Sequence, residues 1–580
     1  MSIFRFVSII NDYSIFLKQK NFNSKKVSLH ILKSEFLVNL VVILTLNFMF
    51  FLTKIIFFKK YSNLDIREKN KLFKLSRILL KLFFIKLDEL ILTIILIQSE
   101  NFGEKTRVEN FNEEIHEFEN IVVGSGPSGA ITAYNLQKKL GKTLIVEKGR
   151  KFSNYNSKHP GDEFIYKWTN GGINTTIFKN QIIFSSGSCL GGGSEINSGL
   201  FHAPDKDYIE RWKNDFEVSN LSYDKLLRSM KIVNKICNTN IGDHQELSSS
   251  HLFKIGAKKN NYKVEEVPRF ATYNKNNLVR NTMSSTFLKK YMKFGGKLVT
   301  KNNVIKIYFV DNFWILETKK NNIKIKYKCK YLFLCCGAIE TAKILKLSKI
   351  KTRSKITRFF FHPMIKAIVE FDKNVQTGSE NVHPYQLINF FPDFIIGESS
   401  SGKRFLEISA MSDFKFIKNI NLNWKKMSIY HVTFSLGTGQ IFKIPFINKF
   451  IYFYKINDEN LNLLKKGYLM LCRSLFSGGA KKIRLLTKKT TIVDINNFEE
   501  KIKNIKKISE FKISSVHILG GIPSGENKQK CVVDSFGKLF DYKNLYINDS
   551  SLVNHKLLKN PQGLIMAIAQ RNVDNFILNK

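Results

Sequence analysis

The sequence predicts a mixed α/β protein built from a doubly wound parallel sheet, a mainly antiparallel second layer and a helical N-terminal segment. Three features of the 580-residue chain carry this prediction. From Ile121 onward, short β-rich runs alternate with helical patterns and glycine-rich turns, as a parallel sheet with crossover helices requires. Between about 361 and 505, strand candidates follow one another without that alternation. Before residue 100, the apolar pattern is helical.

The composition is that of a globular protein. Hydrophobic residues make up 43% of the chain, which excludes a disordered polymer and allows one large domain or two to three ordinary ones. The formal net charge is +44, yet the lysines are spread over the whole length without an arginine-rich or aromatic-interleaved patch. The chain is also rich in Asn, Ile and Phe, which AT-rich codons encode together with Lys. We therefore interpret the charge as compositional and expect no nucleic-acid partner, with a functional basic surface as the alternative.

Cysteine usage bears on the compartment. The seven cysteines form no C-x-x-C pair and no regular spacing, and Cys335 and Cys336 are adjacent inside an apolar run. This pattern indicates buried thiols in a reducing compartment, and it gives neither a disulfide framework nor a zinc site. We expect no metal, and a protein that is either membrane-associated or cytoplasmic.

The N-terminal region contains one long apolar run. Residues 36–53 are uncharged over 18 positions, which just reaches the bilayer threshold, and the apolar character continues to residue 58. Asn39 and Asn47 weaken the signal, and lysines on both flanks leave the orientation open. A membrane segment over 36–58 and a buried or surface-lying helix both fit this pattern.

Two further helical patterns follow over residues 64–98. A polar stripe at spacings of three and four crosses this otherwise apolar segment and consists of Lys71, Lys74, Arg77 and Lys81. An acidic stretch over 100–119 then links the helical region to the next domain.

A dinucleotide-binding fingerprint begins the α/β region. The apolar strand 120–123 leads into Gly124-Ser125-Gly126-Pro127-Ser128-Gly129, which opens a helix, and the next strand, 143–146, ends in Glu147. The first glycine permits a tight turn, the second lets the backbone approach a pyrophosphate, and the third lets the helix pack on the strand. Glu147 stands where a carboxylate accepts the hydroxyls of an adenosine ribose. A glycine turn followed by a surface glutamate is the alternative, which the order of all these elements disfavours.

Two later glycine-containing elements extend this site. The segment Gly187 to Gly199 has no apolar strand before it, so it is not another phosphate loop. Its glycines indicate close approach of the backbone to a flat or charged ligand, with a flexible unliganded loop as the alternative. The buried strand 331–334 stops at Cys335-Cys336-Gly337, and in a doubly wound sheet that edge faces the ligand crevice.

The C-terminal region holds a further strand and a helix start. The strand 544–548 ends in Asp549, and Asn560-Pro561 precedes the helix 562–576. Asn is a good N-cap and Pro suits the first helical position, so a plain helix start explains this pair. A second interpretation, compatible with the first, adds that the free N–H groups of this N-terminus stabilise negative charge on a bound ligand.

Together and in this order, these motifs resemble the glucose-methanol-choline (GMC) family of flavoprotein oxidoreductases. The resemblance covers residues 116–580, and it implies a Rossmann-like FAD-binding domain with an antiparallel-sheet substrate (cap) domain, behind the N-terminal helical appendage. The matching elements are the fingerprint at Gly124–Gly129, the signature Leu190–Asn197, the strand end Cys336-Gly337, and the closing block from His517 through Asp549 to Asn560-Pro561.

The resemblance implies FAD as the cofactor. Some family members attach FAD covalently through a histidine just before the signature asparagine. Ile196 stands at that position here, so we expect non-covalent FAD. The fingerprint and the resemblance together assign cofactor contacts to Gly124, Ser125, Gly126, Ser128, Gly129, Glu147, Lys148, Gly187, Gly191, Gly192, Asn197, Val304, Cys336, Gly337, Asp549, Pro561 and Gln562.

The resemblance also implies the catalytic residues. The family pairs a histidine with an asparagine or a second histidine, which map onto His517 and Asn560. In this assignment His517 accepts the substrate hydroxyl proton while the carbon-bound hydride passes to flavin N5, and Asn560 holds the same oxygen by a hydrogen bond. Imidazole suits the role because its pKa lies near neutrality. His362 and His555 are competing histidines, which we interpret as loop residues.

The mapping gives the domain boundaries. The N-terminal region is 1–115, and four strand candidates are expected in the cap. These candidates lie at 361–371, 404–412, 428–436 and 467–474. The FAD-binding domain is assigned to 116–205, 265–345 and 506–580, and the cap domain to 206–264 and 346–505.

The sequence therefore predicts an FAD-dependent oxidoreductase that takes hydride from a primary or secondary alcohol and gives an aldehyde or ketone. The helical leader loosely resembles that of long-chain alcohol oxidases in the family, which implies a lipid alcohol. The sequence from Ser194 to Gly199 resembles the corresponding motif of bacterial members that act on sugar-like alcohols. The alternatives are a flavin-containing lyase of the same fold and a non-enzymatic, membrane-bound flavoprotein. The sequence assigns no electron acceptor.

Overall fold

The structure is a computed structural model that describes three ranges of the chain. These are residues 61–79, 115–151 and 164–580, the last with gaps at 165, 173, 178–180, 242–247, 275–276, 321–322, 355, 357, 377–384, 411–412 and 446–447. The membrane segment predicted over 36–58 lies outside the described residues. Within them, no helix has both the length and the apolar character needed to cross a bilayer.

The helices are named α1 to α12 in chain order. Their bounds are α1 (Ile66–Leu79), α2 (Pro127–Leu140), α3 (Lys206–Phe216), α4 (Tyr223–Cys237), α5 (Ser248–Lys259), α6 (Phe287–Lys293), α7 (Ala338–Leu347), α8 (Lys403–Ser409), α9 (Phe414–Asn423), α10 (Leu461–Ser477), α11 (Phe498–Lys503) and α12 (Gln562–Leu578).

The strands are named β1 to β24 in the same way. Their bounds are β1 (Ile115–Val123), β2 (Thr143–Val146), β3 (Asn174–Thr175), β4 (Ile182–Phe184), β5 (Thr239–Asn240), β6 (Val264–Glu266), β7 (Arg269–Asn274), β8 (Asn277–Arg280), β9 (Lys297–Val299), β10 (Asn303–Val310), β11 (Phe313–Lys320), β12 (Ile323–Leu334), β13 (Phe359–Phe361), β14 (Met364–Glu370), β15 (Tyr385–Leu387), β16 (Phe394–Ser399), β17 (Met427–Phe434), β18 (Thr438–Lys443), β19 (Phe450–Lys455), β20 (Lys482–Leu485), β21 (Thr491–Val493), β22 (Ile513–Ser515), β23 (Ile518–Gly520) and β24 (Leu545–Ile547).

The first sheet is the predicted doubly wound sheet. Its five parallel strands are ordered β9-β2-β1-β12-β24, and the antiparallel strands β11 and β10 extend it beyond β12. Helices α2, α4, α6 and α12 pack together on one face. All four residues of β2 are buried because both faces of a parallel sheet are covered. The predicted elements β1, α2, β2, β12, β24 and α12 are confirmed.

The second sheet is the predicted antiparallel layer. It is ordered β3-β4-β22-β14-β17-β16-β15-β6, with β20 paired to β14 and β21 to β20. The strands pair antiparallel except for β22 and β4. Helices α5 and α10 cover one face through a shared apolar cluster that includes Phe253, Leu464 and Tyr468. The fold class predicted from the sequence is therefore confirmed.

Two of the four strand candidates in the cap are wrong. Residues 404–412 fall mostly in α8, and residues 467–474 lie inside α10. The buried residues of α10 include Leu464, Tyr468, Leu471 and Leu475, and their spacings of four, three and four are those of a helix face. The apolar run 467–474 hid this period. The candidate 428–436 is confirmed as β17, and 361–371 contains β14.

The segments 206–264 and 506–580 each contribute elements to both sheets. Helices α3 and α4, placed in the cap by the sequence, share a core with the first sheet, where Trp212 and Leu226 join Ile121. Of the expected cap segment 206–264, α5 packs on the second sheet. In the other direction, β4 and β22 fall in expected FAD-domain segments but belong to the second sheet.

The helical prediction for residues 64–98 is confirmed over α1, and residues 80–98 lie outside the described residues. Asp65 and Glu68 form a reciprocal cap at its start, because the Glu68 N–H donates to Asp65 Oδ1 (2.8 Å) and the Asp65 N–H donates to Glu68 Oε2 (3.0 Å). Leu72 and Phe73 are buried. The predicted linker is shorter at its C-terminal end, because β1 already begins at Ile115.

Candidate active site

A cavity of about 400 Å³ lies between the two sheets. It opens at the carboxyl ends of β1, β2, β12 and β24, which is where doubly wound sheets bind ligands. The predicted site residues line it, except Ser125, Gly129 and Gly191. The structure therefore brings together residues from Gly124 to Gln562 around one cavity, and the three exceptions lie outside its lining.

The fingerprint turn between β1 and α2 is built for close backbone packing. Gly124 has φ of +97°, and a Cβ there would lie 2.5 Å from the carbonyl oxygen of Cys335. A Cβ on Gly129 would lie 2.0 Å from the carbonyl oxygen of Gly124. Helix α2 then begins at Pro127 without a side-chain cap. Gly129 thus allows the start of α2 to pack against the backbone of Gly124, outside the cavity lining. The free N–H groups at the N-terminus of α2 can bind an anion in the cavity.

Glu147 is held in place by the fingerprint turn. Its Oε2 accepts hydrogen bonds from the Ser125 N–H (2.9 Å) and from Ser125 Oγ (2.7 Å), and its Oε1 accepts from the Gly149 N–H (2.7 Å). Ser125 Oγ also accepts from the Gly191 N–H at 3.1 Å. A carboxylate offers about four acceptor positions, so Glu147 keeps acceptor capacity for a ribose. Ser125 and Gly191 do not line the cavity; their hydrogen bond joins the fingerprint turn to the signature loop.

The signature loop contacts both the fingerprint turn and the C-terminal helix. A Cβ on Gly192 would lie 2.8 Å from Gly126 Cα, so the two glycine-rich loops meet backbone to backbone. Asn197 donates from Nδ2 to Gln562 Oε1, and its Oδ1 accepts from Arg280 Nη2 at 2.8 Å. Asn197 therefore fixes the loop against the start of α12. Arg280 was not predicted, because nothing in its local sequence separates it from the many surface cations.

Asp549 lines the cavity and connects neighbouring segments of the chain by hydrogen bonds. Its Oδ2 accepts from the Gly337 N–H (2.8 Å) and from Thr341 Oγ1, and its Oδ1 accepts from the N–H (2.8 Å) and Oγ (2.6 Å) of Ser551. Burial raises the pKa of Asp549, and these four hydrogen bonds oppose the rise. They use about all the acceptor positions of a carboxylate. Asp549 thus holds the turn after β12 to the end of β24.

The donor set along the cavity fits an extended dinucleotide. Glu147 and Val304 line the same cavity as the uncapped N-terminus of α2, which suits a pyrophosphate. The N-terminus of α12, behind Pro561, also has no side-chain cap. Gly126 and Gly192 both line the cavity, and their close contact leaves no space for a side chain on Gly192.

His517 and His362 meet at one end of the cavity. Their Nδ1 atoms are 3.0 Å apart, and the rings are nearly perpendicular. Burial lowers the pKa of His517 to about 4. Burial, and then the neighbouring His517, lowers the pKa of His362 well below its ordinary value, while the backbone of Leu557 opposes that shift. Both imidazoles are therefore neutral at pH 7 and share one hydrogen bond.

Asn560 is held by a residue that the sequence did not indicate. Gln386 Nε2 donates to Asn560 Oδ1 at 3.3 Å. His202 is buried beside Gln386, and its pKa is lowered to about 3 by burial, with Lys559 contributing and the Gln386 side chain opposing. Gln386 lies in the three-residue strand β15, which is too short to show a pattern.

The competing histidines have different surroundings. His362 follows β13 in a loop, as expected, but its ring reaches His517. The break that His362-Pro363 makes between β13 and β14 was the available signal. His555 also lies in a loop, where its Nε2 is 3.1 Å from Asp215 Oδ2 and its ring packs on Phe216, and it does not line the cavity. Within the described ranges, no three His, Cys, Asp or Glu side chains are placed to hold a metal ion.

A doubly wound sheet with a glycine-rich turn at its crevice, covered by a second sheet, is the architecture of a two-layer dinucleotide-binding protein. Family models for the N-terminal and C-terminal parts of the GMC oxidoreductases match residues 163–365 and 449–569. The chain belongs to the GMC oxidoreductase family, a class of flavoprotein oxidoreductases.

Two kinds of curated relatives are similar along the chain. An uncharacterized GMC-type oxidoreductase of Sinorhizobium fredii is 25% identical over 80% of this chain and 95% of its own length. A long-chain-alcohol oxidase of Arabidopsis thaliana is 23% identical over 77% of this chain and 67% of its own length. Among solved structures, pyridoxine 4-oxidase from Mesorbium loti is 14% identical, with a TM-score of 0.57 over 79% of this chain and 99% of its own. The structural likeness shows the fold.

Proposed function

We propose that this chain is an FAD-dependent oxidoreductase that takes hydride from a primary or secondary alcohol and releases an aldehyde or ketone. The observation that carries the proposal is a neutral, partly buried His517 in the same cavity as Asn560 and the fingerprint turn. The names of two similar proteins, a long-chain-alcohol oxidase and pyridoxine 4-oxidase, support an alcohol donor. FAD, when bound, supplies the hydride acceptor.

His517 is the proposed base. Its Nδ1 faces the Nδ1 of His362, so one of the two rings must donate and the other accept. We place the ring proton of His362 on Nε2, away from His517. His362 then accepts at Nδ1, and His517 donates its Nδ1–H. This tautomer leaves the Nε2 lone pair of His517 to take the hydroxyl proton of an alcohol.

Asn560 is the proposed partner for the substrate oxygen. Because Gln386 donates to its Oδ1, the amide presents its Nδ2–H groups to other acceptors. A hydrogen bond from Nδ2 to the substrate oxygen holds the O–H toward His517. In the reaction, the O–H bond breaks toward His517, hydride leaves the carbon, and a carbonyl forms.

The remaining residues place and retain the cofactor. The cradle from Glu147 to the N-terminus of α12 would hold FAD, and the turn braced by Asp549 would shape its middle part. Ile196 lines the cavity at the position of the covalent histidine of some members, which supports non-covalent FAD. Membrane association through 36–58 stays a prediction.

The test is anaerobic reduction of the purified, FAD-loaded full chain by a panel of alcohols that includes sugars, fatty alcohols and small hydroxy acids. We expect at least one alcohol to bleach the absorbance of the oxidised flavin and to yield the matching carbonyl product. A lyase would turn over without a persistent change in flavin absorbance. Absence of bleaching by every alcohol, in protein that retains FAD and is reduced by dithionite, would refute the proposal.

A further inference from the structure

The second sheet contributes a polar row to the wall of the cavity. Across four neighbouring strands the register pairs Lys366 of β14 with His431 of β17, His431 with Gly397 of β16, and Gly397 with Gln386 of β15. Lys366, His431 and Gln386 line the cavity. Neighbouring strands are about 4.8 Å apart, so the row extends about 14 Å across the sheet.

Because Gly397 has no side chain, its neighbours in the row, His431 and Gln386, can approach each other. A Cβ at this position would lie 3.2 Å from His431 Cε1 and 3.6 Å from Gln386 Cγ. The side chains of His431 and Gln386 therefore approach each other over a residue that has none. At its Gln386 end, the row reaches the proposed catalytic residue Asn560 through a hydrogen bond of 3.3 Å.

Lys366 supplies a positive charge at the other end of the row. Burial lowers the pKa of its amine, and no neighbouring carboxylate counters that shift in the described part of the chain. Glu398 of β16, two strands away from Lys366, also lines the cavity, and its carboxylate accepts hydrogen bonds from Ser250 Oγ (2.7 Å) and from Ser428 Oγ. Lys366 is partly exposed at the cavity, and cations held away from bulk water are normally paired, so we expect its counter-charge from a ligand.

Lys366 lies at a distance from the His362–His517 pair that a small substrate can span. Met364 and Lys366 share the cavity face of β14, and the strand begins directly after His362 and Pro363. At about 3.3 Å per residue, the Cα of Lys366 lies about 13 Å along the chain from that of His362. A molecule with its hydroxyl group at His517 and an acidic group a few carbons away spans this gap with the help of the lysine side chain.

We propose that Lys366 binds an anionic group, a carboxylate or a phosphate, on the alcohol substrate. This inference rests on the proposed function and names its substrate class: a hydroxy acid or a phosphorylated alcohol. His431 and Gln386 complete the polar wall beside it. A long-chain alcohol would instead place hydrocarbon against Lys366 and leave its charge both desolvated and unpaired.

The first test compares matched alcohols, one neutral and one anionic, such as glycerol with glycerol 3-phosphate and 1-butanol with 4-hydroxybutyrate. We expect kcat/KM for flavin reduction to favour an anionic member by about tenfold or more, as a charge-assisted hydrogen bond provides. Lys366→Met should raise KM for that anionic alcohol about 10- to 100-fold and leave the neutral partner within about twofold. Lys366→Arg should keep most of the preference, and Lys443→Met, on an exposed lysine of β18, should change nothing.

The second test needs no turnover. Inorganic phosphate and malonate are titrated into the oxidised, FAD-loaded protein, and their binding is read from the perturbation of flavin absorbance. We expect saturable binding in the wild type and in Lys443→Met, and none in Lys366→Met. If no alcohol reduces the flavin, the proposed function fails while this titration still decides the role of Lys366.

Three outcomes would overturn the inference. The first is a clear preference for neutral or long-chain alcohols that Lys366→Met does not alter. The second is an anion titration that is the same in wild type and Lys366→Met. The third is loss of FAD from folded Lys366→Met, which would make Lys366 a cofactor residue.

Discussion

The Nδ1 atoms of His362 and His517 lie 3.0 Å apart, although 155 residues separate the two in the chain. Two neutral imidazoles at this distance share a single proton between these nitrogens. The donor role of His517, proposed above, fixes its tautomer and directs its second nitrogen to the substrate. His362 is thus a positioning residue for the base.

Replacing His362 should slow the chemical step more than it weakens binding. His362→Leu removes the acceptor for the His517 Nδ1–H, which we expect to lower the rate of flavin reduction about tenfold with little change in KM. His362→Asn, whose carbonyl oxygen can accept the same proton, should recover part of the rate. Stopped-flow reduction measures both. His555→Leu is the control, because His555 lies outside the cavity, and an equal loss in that variant would contradict the assignment.

The contact between the two glycine-rich loops should control retention of FAD. Gly192→Ala would place a Cβ 2.8 Å from Gly126 Cα at a φ of +55°. The overlap should weaken FAD binding about tenfold or more, equivalent to the roughly 1–3 kcal/mol of an overpacked site. Flavin content after gel filtration and an FAD titration of the apoprotein measure the effect.

Gly141→Ala is the matched control for that change. Gly141 also has a positive φ, +73°, but a Cβ there meets no atom within 4 Å. It should lose some stability through backbone strain and keep its flavin. If Gly141→Ala loses FAD as Gly192→Ala does, strain rather than loop contact explains the loss.

The pH profile of flavin reduction should show an acid limb at unusually low pH. Burial lowers the pKa of His517 from 6.5 to about 4, so the neutral base persists well below pH 6. We expect kcat/KM to be flat above about pH 6 and to fall with a midpoint near pH 4. An acid limb near pH 6.5 or above would show that His517 is solvated or is not the base.

The lowered pKa of His517 also makes the stability of the folded protein depend on pH. The unfolded chain protonates this histidine near pH 6.5, whereas the folded chain does so only near pH 4. Stability therefore decreases as the pH falls below about 6.5 and the decrease ends near pH 4. Buried His202, with a pKa of about 3, acts in the same direction. Urea midpoints between pH 7 and pH 4.5 should fall more in wild type than in His517→Asn.

The sequence predicted the parts of the fold whose signals are local. The turn at Gly124, the helix α2 and the strand ending at Glu147 follow one another within 30 residues, and each constrains the next. Helix α10 was mistaken for a strand because apolar residues on both faces concealed its helical period. The division of residues 206–264 between the two sheets depends on packing, which no local pattern records.

At the candidate site, too, the sequence indicated only the residues that lie in local motifs. His517 and Asn560 could be found because they fall inside family motifs. Gln386 and Lys366 could not, because their relation to the cavity is set by the register of β14, β17, β16 and β15. Asp549 was predicted as a cofactor residue, but the number of its protein donors became visible only once β12 and β24 were placed side by side.

In the proposed reaction, His517 removes the hydroxyl proton of an alcohol in this cavity. The most direct measurement is single-turnover, anaerobic flavin reduction by the best alcohol of the panel, in wild type and His517→Asn with equal FAD content. We predict that the variant is about 10²- to 10⁴-fold slower at pH 8, the range of a lost general base. Equal rates in the two proteins would contradict the account.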